Sequence, residues 1–308
     1  MILVIGSSND RVYPKLVRRL QASNCTHVIV DEDHATRYQL SRDECRGTAT
    51  WRVLGDGCSG SRPVGSIFVR HAVARTLDPT VTGPMGELQT ALNRMLLTAP
   101  CPVINHPSNA FSNYAKAYQT RLLAAAGFDV PKTLVTNIRA EALRFYDECG
   151  GKVIFKGASN VMSLAQVLKP QNMDRLNLLP NCPTQFQEFV AGVDYRVHVV
   201  GNDAFVTRLV SRDEDYRRAA LIEDKAIVAE AAELPPSVIR RCIEFTKQLG
   251  LIVSGIDFKE DAQGRLAALE LNPYPQFTFY EGRSGQPITE TIVDYLVRHQ
   301  AADSNVFV

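Results

Sequence analysis

A parallel α/β unit followed by an antiparallel α+β half is the fold class this sequence predicts, on three observations. Residues 2–30 run as apolar stretch, amphipathic helical stretch, apolar stretch, the β-α-β order of a parallel sheet. Past Pro183 the pattern changes to strand pairs closed by turn chemistry, Gly201-Asn202-Asp203 and Asp261-Ala262-Gln263-Gly264. The chain has 308 residues, 45% of them hydrophobic, enough for more than one core; at ~150 residues per domain it holds roughly two.

Taken in order, residues 2–5 form the first strand, ending at Gly6-Ser7-Ser8-Asn9-Asp10. Val12, Leu16, Val17 and Leu20 then share one helix face, with Lys15, Arg18 and Arg19 off it. Residues 27–30 form the second strand, and further strands are expected near 50–54 and 66–70. A helix over 87–98 carries Leu88, Leu92, Met95 and Leu96, and 103–104 closes the first unit near residue 105. A long helix is predicted over 107–126, stopped by Gly127 and followed by Pro131. A strand at 133–136, a helix at 140–149 and a strand at 152–156 come next. The later hairpins pair 194–201 with 204–210 and 252–258 with 266–271, with a helix over 236–249 between them.

Composition excludes several function classes. A formal net charge of +1 offers no electrostatic footprint for nucleic acid or an acidic membrane. No apolar run approaches the ~20 residues that span a bilayer. The N-terminus leads from Met1 straight into a buried strand, without the basic and cleavable features of a secretory signal. The seven cysteines are scattered and form no Cys-x-x-Cys pair, as expected of reduced thiols in a cytoplasmic protein. Gly55-Asp56-Gly57-Cys58-Ser59-Gly60 fits G-x-G-x-x-G, but Pro63 and Gly65 follow where a dinucleotide loop needs a helix, and no G-x-x-x-x-G-K-[ST] occurs.

The chemistry concentrates late in the chain. On one strand, Glu270 and Asn272 share a face, with Leu269 and Leu271 on the other. Folding the hairpin about 261–264 brings Asp257 near Glu270 on that face. Two carboxylates and an amide oxygen suit a hard cation such as magnesium; the alternative is a solvated hairpin face. Pro273 ends the strand directly after Asn272, which favours the ligand site. Lys156 closes the apolar run 153–155 ahead of a small-residue loop, as a phosphate-binding cation under a lid would; an exposed strand-end lysine is the alternative. The same two readings hold for Lys116 in the 107–126 helix. Asp194, Arg196 and His198 alternate with Val193, Tyr195 and Val197, leaving one strand face ionisable. Arg208, Arg212, Arg217 and Arg218 cluster near Asp213-Glu214-Asp215-Tyr216, either to bind an anion or as a self-neutralising loop.

Together these residues resemble an ATP-grasp enzyme of the RimK-like group, over about residues 65–298. The resemblance implies an ATP-grasp fold, with nucleotide between two antiparallel sheets and an N-terminal Rossmann-like pre-ATP-grasp domain. Its units would be 1–105, a central subdomain at 106–186 and a C-terminal subdomain at 187–308. Lys116, ahead of Gly127-Phe128-Asp129-Val130-Pro131, and Lys156 match the group's two lysines. Gln187 and Glu188, with the backbone of Phe189 and Val190, would hold adenine. Asp194 and Arg196 match its ribose and phosphate contacts, and Arg217 its substrate-side arginine. Asp257, Glu270 and Asn272 match its magnesium ligands, with manganese as an alternative ion. Residues 67–70, 187–198 and 285–288 resemble microviridin-type (graspetide) macrocyclising ligases.

The implied function is an ATP-dependent, ADP-forming ligase that joins a carboxylate to an amine or hydroxyl through an acyl phosphate. Implied partners are a small-molecule or peptide carboxylate, its acceptor, and a second copy of the chain as a homodimer. A nucleotide-binding regulatory protein without turnover is the alternative.

Overall fold

The computed structural model describes residues 1–32, 39–43, 50–55, 58–70, 91–157, 165–210 and 228–302. It opens with a parallel sheet. Strand β1 (Ile2–Gly6) leads through α1 (Tyr13–Ala22) to β2 (His27–Asp31). Strands β3 (Gln39–Asp43), β4 (Thr50–Gly55) and β5 (Cys58–Pro63) form a separate antiparallel sheet, and β6 (Ser66–Val69) and β7 (Val103–Ile104) return to the first, whose order is β2-β1-β6-β7. The strand expected near residue 50 therefore belongs to a meander. Only two residues separate the paired Gly55 and Cys58, far fewer than a parallel crossover requires. The G-x-G-x-x-G match spans two antiparallel strands, which removes it as a dinucleotide loop. Within the helix expected over 87–98, residues 91–96 are helical, and 87–90 lie outside the described residues.

Alternation along β1 and β6 divides the parallel sheet into two buried faces. Leu3, Ile5, Ile67 and Val69 pack with Leu92 and Leu96 on one side. On the other, Ile2, Val4 and Phe68 pack with Leu16 and Leu20, and with Ile292, Val293 and Leu296 from near the end of the chain.

The segment 107–126 is not one helix. A 3₁₀ helix, Pro107–Tyr114, ends at Ala115 (φ −129°, ψ 71°), and α2 (Lys116–Ala125) starts afresh. The two pieces dock on different elements. Asn109 donates to Gly250 O at 2.8 Å. The Gln119 amide pairs with both backbone groups of Leu271, donating at 2.6 Å and accepting at 3.0 Å. The break puts Lys116 at the first position of α2.

Strand β8 (Thr133–Thr136), α3 (Arg139–Glu148), β9 (Val153–Gly157), β10 (Gln166–Val167), a 3₁₀ helix (Pro170–Asn181) and β11 (Thr184–Glu188) build the central antiparallel sheet, ordered β10-β9-β11-β8. Phe145, Val153, Leu176 and Phe186 fill its core. The C-terminal sheet is ordered β14-β13-β12-β15-β16, from β12 (Val193–Val200), β13 (Asp203–Val210), β14 (Val228–Ala231), β15 (Val253–Glu260) and β16 (Leu266–Asn272). Helix α4 (Pro236–Gln248) covers one face, where Phe128 packs at 5.7 Å ring separation against both Phe245 and Phe258. Two helices not expected from the sequence follow, α5 (Thr278–Ser284) and α6 (Ile288–Ala302). The prolines and glycines between 273 and 285 hide the first, which Gly285 (φ 70°) caps. Among the described residues no helix is long and apolar enough to cross a membrane.

Gly192 joins the central sheet to the C-terminal one where two backbones nearly touch. A Cβ there would lie 1.8 Å from the Glu260 carbonyl oxygen. Gly192→Ala is expected to cost about 2–3 kcal/mol of stability, because backbone rather than a pliable side chain must give way. A urea melt checks this: the midpoint falls, with an unchanged slope.

Candidate active site

The site is organised by the β15–β16 hairpin. Asp257 lies directly opposite Glu270, and Gly255 opposite Asn272. The ladder shifts between Asp257 and Phe258, so Phe258 faces Ala268 and Leu269 is the extra residue of a bulge. The expectation that Leu269 and Leu271 share a buried face is corrected by that bulge. Leu271 is buried, whereas Leu269 turns into the cleft beside Glu270.

Two ammonium groups from different elements meet Glu270. Lys116 Nζ, at the start of α2, and Lys156 Nζ, on β9, each stand 4.0 Å from Glu270 Oε2. Both lysines are partly shielded from solvent, against their reading as free surface side chains. At that spacing the charges attract without close contact, and a cluster of this kind can accept an anion between its members.

Beneath them, the ionisable face of β12 is buried. Asp194, Arg196 and His198 are all buried, so every charge on this face needs a partner. Arg196 Nη1 pairs with Asp257 Oδ1 at 2.7 Å, directly across the ladder. Lys259, two residues after Asp257, pairs with Asp194 at 3.2 Å. The Arg196 guanidinium lies over Gly255, where a Cβ would be 2.4 Å from Nη2, and 5.5 Å from the Tyr280 ring. His198 is fully buried, packed edge-on to Tyr280, and its Nε2 accepts from Arg196 Nε at 3.5 Å. Burial first, and then the Arg196 charge, hold its pKa well below the usual histidine value. His198 is thus a neutral strut, not a titrating group at neutral pH.

The segment 187–190 forms the cleft wall. Gln187 donates to Thr133 Oγ1 at 3.1 Å. The Glu188 carboxylate is engaged on both oxygens, accepting from Arg265 Nη1 at 2.9 Å and from Lys132 N at 3.2 Å. Arg265 also donates to both Asp129 oxygens, at 2.7 and 3.1 Å, and so links the C-terminal hairpin to the central sheet. These bonds raise the Arg265 pKa, and the Arg265 contact lowers that of Asp129. What Glu188 offers a ligand is therefore backbone.

One cleft between the central and C-terminal sheets is lined by Lys156, Gln187, Glu188, Phe189, Val190, Asp194, Asp257 and Glu270, with Ile154, Val167, Phe258 and Leu269 as apolar walls. Lys116 reaches it through Glu270, and Arg196 supports it from below. Asn272 sits one ladder step from Asp257, its Oδ1 accepting from Tyr274 N at 2.9 Å. Arg212, Arg217, Arg218 and the loop 159–164 lie outside the described residues. Sequence reading missed Arg265 and Tyr280, which nothing local marks. It also missed Gly255, which an isolated glycine inside a strand could have signalled as a point of close approach.

The donor set fits magnesium. Among the described residues no group of three or more His, Cys, Asp or Glu could hold a metal. Asp257 and Glu270, paired across the hairpin beside Lys156, suit an ion that takes few protein ligands and completes its shell with phosphate and water; Asn272 follows two residues on but is not among the cleft-lining residues.

Two antiparallel sheets gripping a cleft with paired lysines and a carboxylate hairpin define an ATP-dependent ligase, and the comparisons agree. Residues 113–296 match the RimK-like ATP-grasp domain, and the chain belongs to that family. The structure resembles a RiPP-associated ATP-grasp ligase of Chryseobacterium gregarium, solved with ADP and a leader and core peptide (TM-score 0.80, 21% identity, 96% of each chain). It also resembles the ATP-grasp ligase PsnB, complexed with a phosphomimetic variant of its minimal precursor, Mg and ADP (TM-score 0.79, 27% identity, 97% of this chain and 98% of that one). A third likeness is to the macrocyclase MdnC of Microcystis aeruginosa MRC, bound with precursor peptide MdnA (TM-score 0.77, 19% identity, 97% and 100%). At their identities the first and third are likenesses of fold.

The buried His198 gives the protein an acid limit. Above pH ~6.5 the residue is neutral in both folded and unfolded chains. Below it the unfolded chain binds a proton that the folded chain refuses, so its contribution to stability falls with acid, toward the lowered folded pKa. His198→Gln should flatten that part of a stability profile measured by urea melts from pH 7.5 to 5. An unchanged slope would show that other groups carry it.

Proposed function

We propose that this enzyme uses ATP and Mg²⁺ to activate a carboxylate of a peptide and joins it to an amine or hydroxyl. The observation that carries the reading is the convergence of Lys116 and Lys156 on Glu270, opposite Asp257 and facing the wall 187–190. Adenine would lie against Gln187 and the backbone of Glu188, Phe189 and Val190, with Asp194 toward the ribose. Lys116, Lys156 and Arg196 would offset the charge of the phosphates. Asp257, Glu270 and Asn272 would hold Mg²⁺, or Mn²⁺ in its place, which when bound supplies further neutralisation of the phosphate oxygens.

A carboxylate is a poor electrophile because it is anionic. Its oxygen attacks the γ-phosphorus, the bridging P–O bond breaks, and ADP leaves with that electron pair. This transfer calls mainly for positioning and charge stabilisation, which the lysines and Arg196 supply. The acceptor then adds to the acyl carbon, phosphate departs, and the acceptor loses its proton. Arg217 would stabilise the tetrahedral oxyanion, and the loop 159–164 would keep water from the acyl phosphate. Support for a peptide carboxylate comes from the solved ligases above, which hold leader, core or precursor peptides. In this reading the units are 1–105, 106–186 and 187–308, the first shaping the acceptor site. The enzyme works in the cytoplasm, and a second copy of the chain, as a homodimer, is its remaining partner.

Incubation with ATP, Mg²⁺, hydroxylamine and a panel of Glu- and Asp-containing peptides tests this. A peptide hydroxamate, formed with stoichiometric ADP, is expected. ADP release that no carboxylate stimulates would sink ligase turnover and favour the regulatory alternative. Glu270→Gln and Asp257→Asn should each lower the stimulated rate by ~100-fold or more, with the fold intact by circular dichroism. Arg265→Ala should raise KM for ATP several-fold with little change in kcat, because it frees the wall at Glu188 and not the reacting groups.

A further inference from the structure

Three strands of the N-terminal parallel sheet end at one place, and each is followed by a buried polar side chain: Asp10 after β1, Arg70 after β6 and Asn105 after β7. All three act on the short segment that follows Asn272. Arg70 donates through Nε to Asp10 at 3.2 Å and through Nη1 to Pro275 O at 2.9 Å. Gln276 Nε2 donates to Asp10 Oδ2 at 3.3 Å.

Asn105 uses the full capacity of its amide. Its Nδ2 donates to Val253 O at 2.5 Å and to Pro273 O, and its Oδ1 accepts from Ile252 N at 2.9 Å and Val253 N at 3.0 Å. Val253 is the first residue of β15, and Pro273 follows the last residue of β16. One side chain from the N-terminal sheet therefore ties together both strands of the carboxylate hairpin, at the end opposite their turn.

That tie acts beyond the Gln119 bonds at Leu271, at the very end of the hairpin. The turn fixes register only as far as the Phe258–Ala268 pair, because the bulge at Leu269 intervenes before Asp257 and Glu270 meet. A one-residue slip beyond the bulge would turn Glu270 and Asn272 to the opposite face. Pro273 has no N–H with which to continue the ladder, which stops at the Gly255–Asn272 pair.

We propose that Asn105 is a positioning residue for the set Asp257, Glu270 and Asn272, holding these side chains in register from the N-terminal sheet. The inference rests on reading that set as the magnesium site. It makes the N-terminal unit part of the catalytic apparatus and not only a wall for the acceptor.

Calorimetry of ADP binding with and without Mg²⁺ tests it on the full chain, for the wild type, Asn105→Ala, Arg70→Lys and Ser254→Ala. Ser254 is a control: it is buried on β15 and bonds Thr246 Oγ1 at 2.7 Å, away from the donor set. Asn105→Ala should cut the Mg²⁺-dependent gain in ADP affinity roughly tenfold and leave metal-free ADP affinity unchanged. Ser254→Ala should lower Tm yet keep the gain. Should Asn105→Ala fail to fold, Arg70→Lys, which loses the forked reach to Pro275, should show the same selective loss. Retention of the full gain in the Asn105 variant, or in the Arg70 variant used in its place, overturns the proposal, as does an equal loss in Ser254→Ala. A wild type with no Mg²⁺-dependent gain would instead overturn the metal reading itself, and this proposal with it.

Discussion

The pairing of Asp257 with Glu270 across β15 and β16 is the constraint on which the rest of the site depends. Two carboxylates on neighbouring strands repel one another, and in isolation that pair would weaken the sheet. Here each is answered from elsewhere: Asp257 by Arg196 on the adjoining strand, and Glu270 by lysines from a helix and from the other sheet. Beside them, Arg265 bonds Glu188 on β11 and ties the C-terminal hairpin to the central sheet.

The charge network is layered by burial. Arg196 pairs with Asp257, and Lys259 with Asp194, at the buried floor of the cleft, where a low dielectric strengthens each contact and makes an unpaired member costly. Lys156 and Glu270 stand closer to solvent and at longer range, where a ligand can replace one partner without leaving a buried charge bare. Neutral His198 fills the space beside Arg196 without adding a second cation. The layering gives a rigid base and an exchangeable upper surface, the division a site that binds and releases a triphosphate requires.

Much of this was legible locally. The alternation at 270–272, the turn at 261–264 and the apolar run before Lys156 placed the hairpin, its face and the strand-end cation, because strand periodicity and turn chemistry are properties of adjacent residues. Illegible were the break at Ala115, the bulge at Leu269 and the engagement of Glu188 by Arg265. Each arises when one segment docks on another far away in sequence: Gln119 on Leu271, and Arg265 on Glu188 and Asp129. Helix α5 was hidden by Gly282 within it and Gly285 after it, whereas α6 holds neither glycine nor proline and carries Ile288, Ile292 and Leu296 at helical spacing, a pattern the sequence offered.

The sequence by itself determined the class of fold and the family, and it singled out Lys156, Asp257 and Glu270, which line one cleft, since those follow from local pattern and side-chain chemistry. Only the tertiary structure decided which charges neutralise which, that His198 is uncharged, and that Asn105 holds the end of the β15–β16 hairpin and Arg70 the segment after it. The reason is physical. Burial, dielectric and hydrogen-bond partners are set by segments distant in the chain, and no stretch of chain carries that information until it is packed against the other.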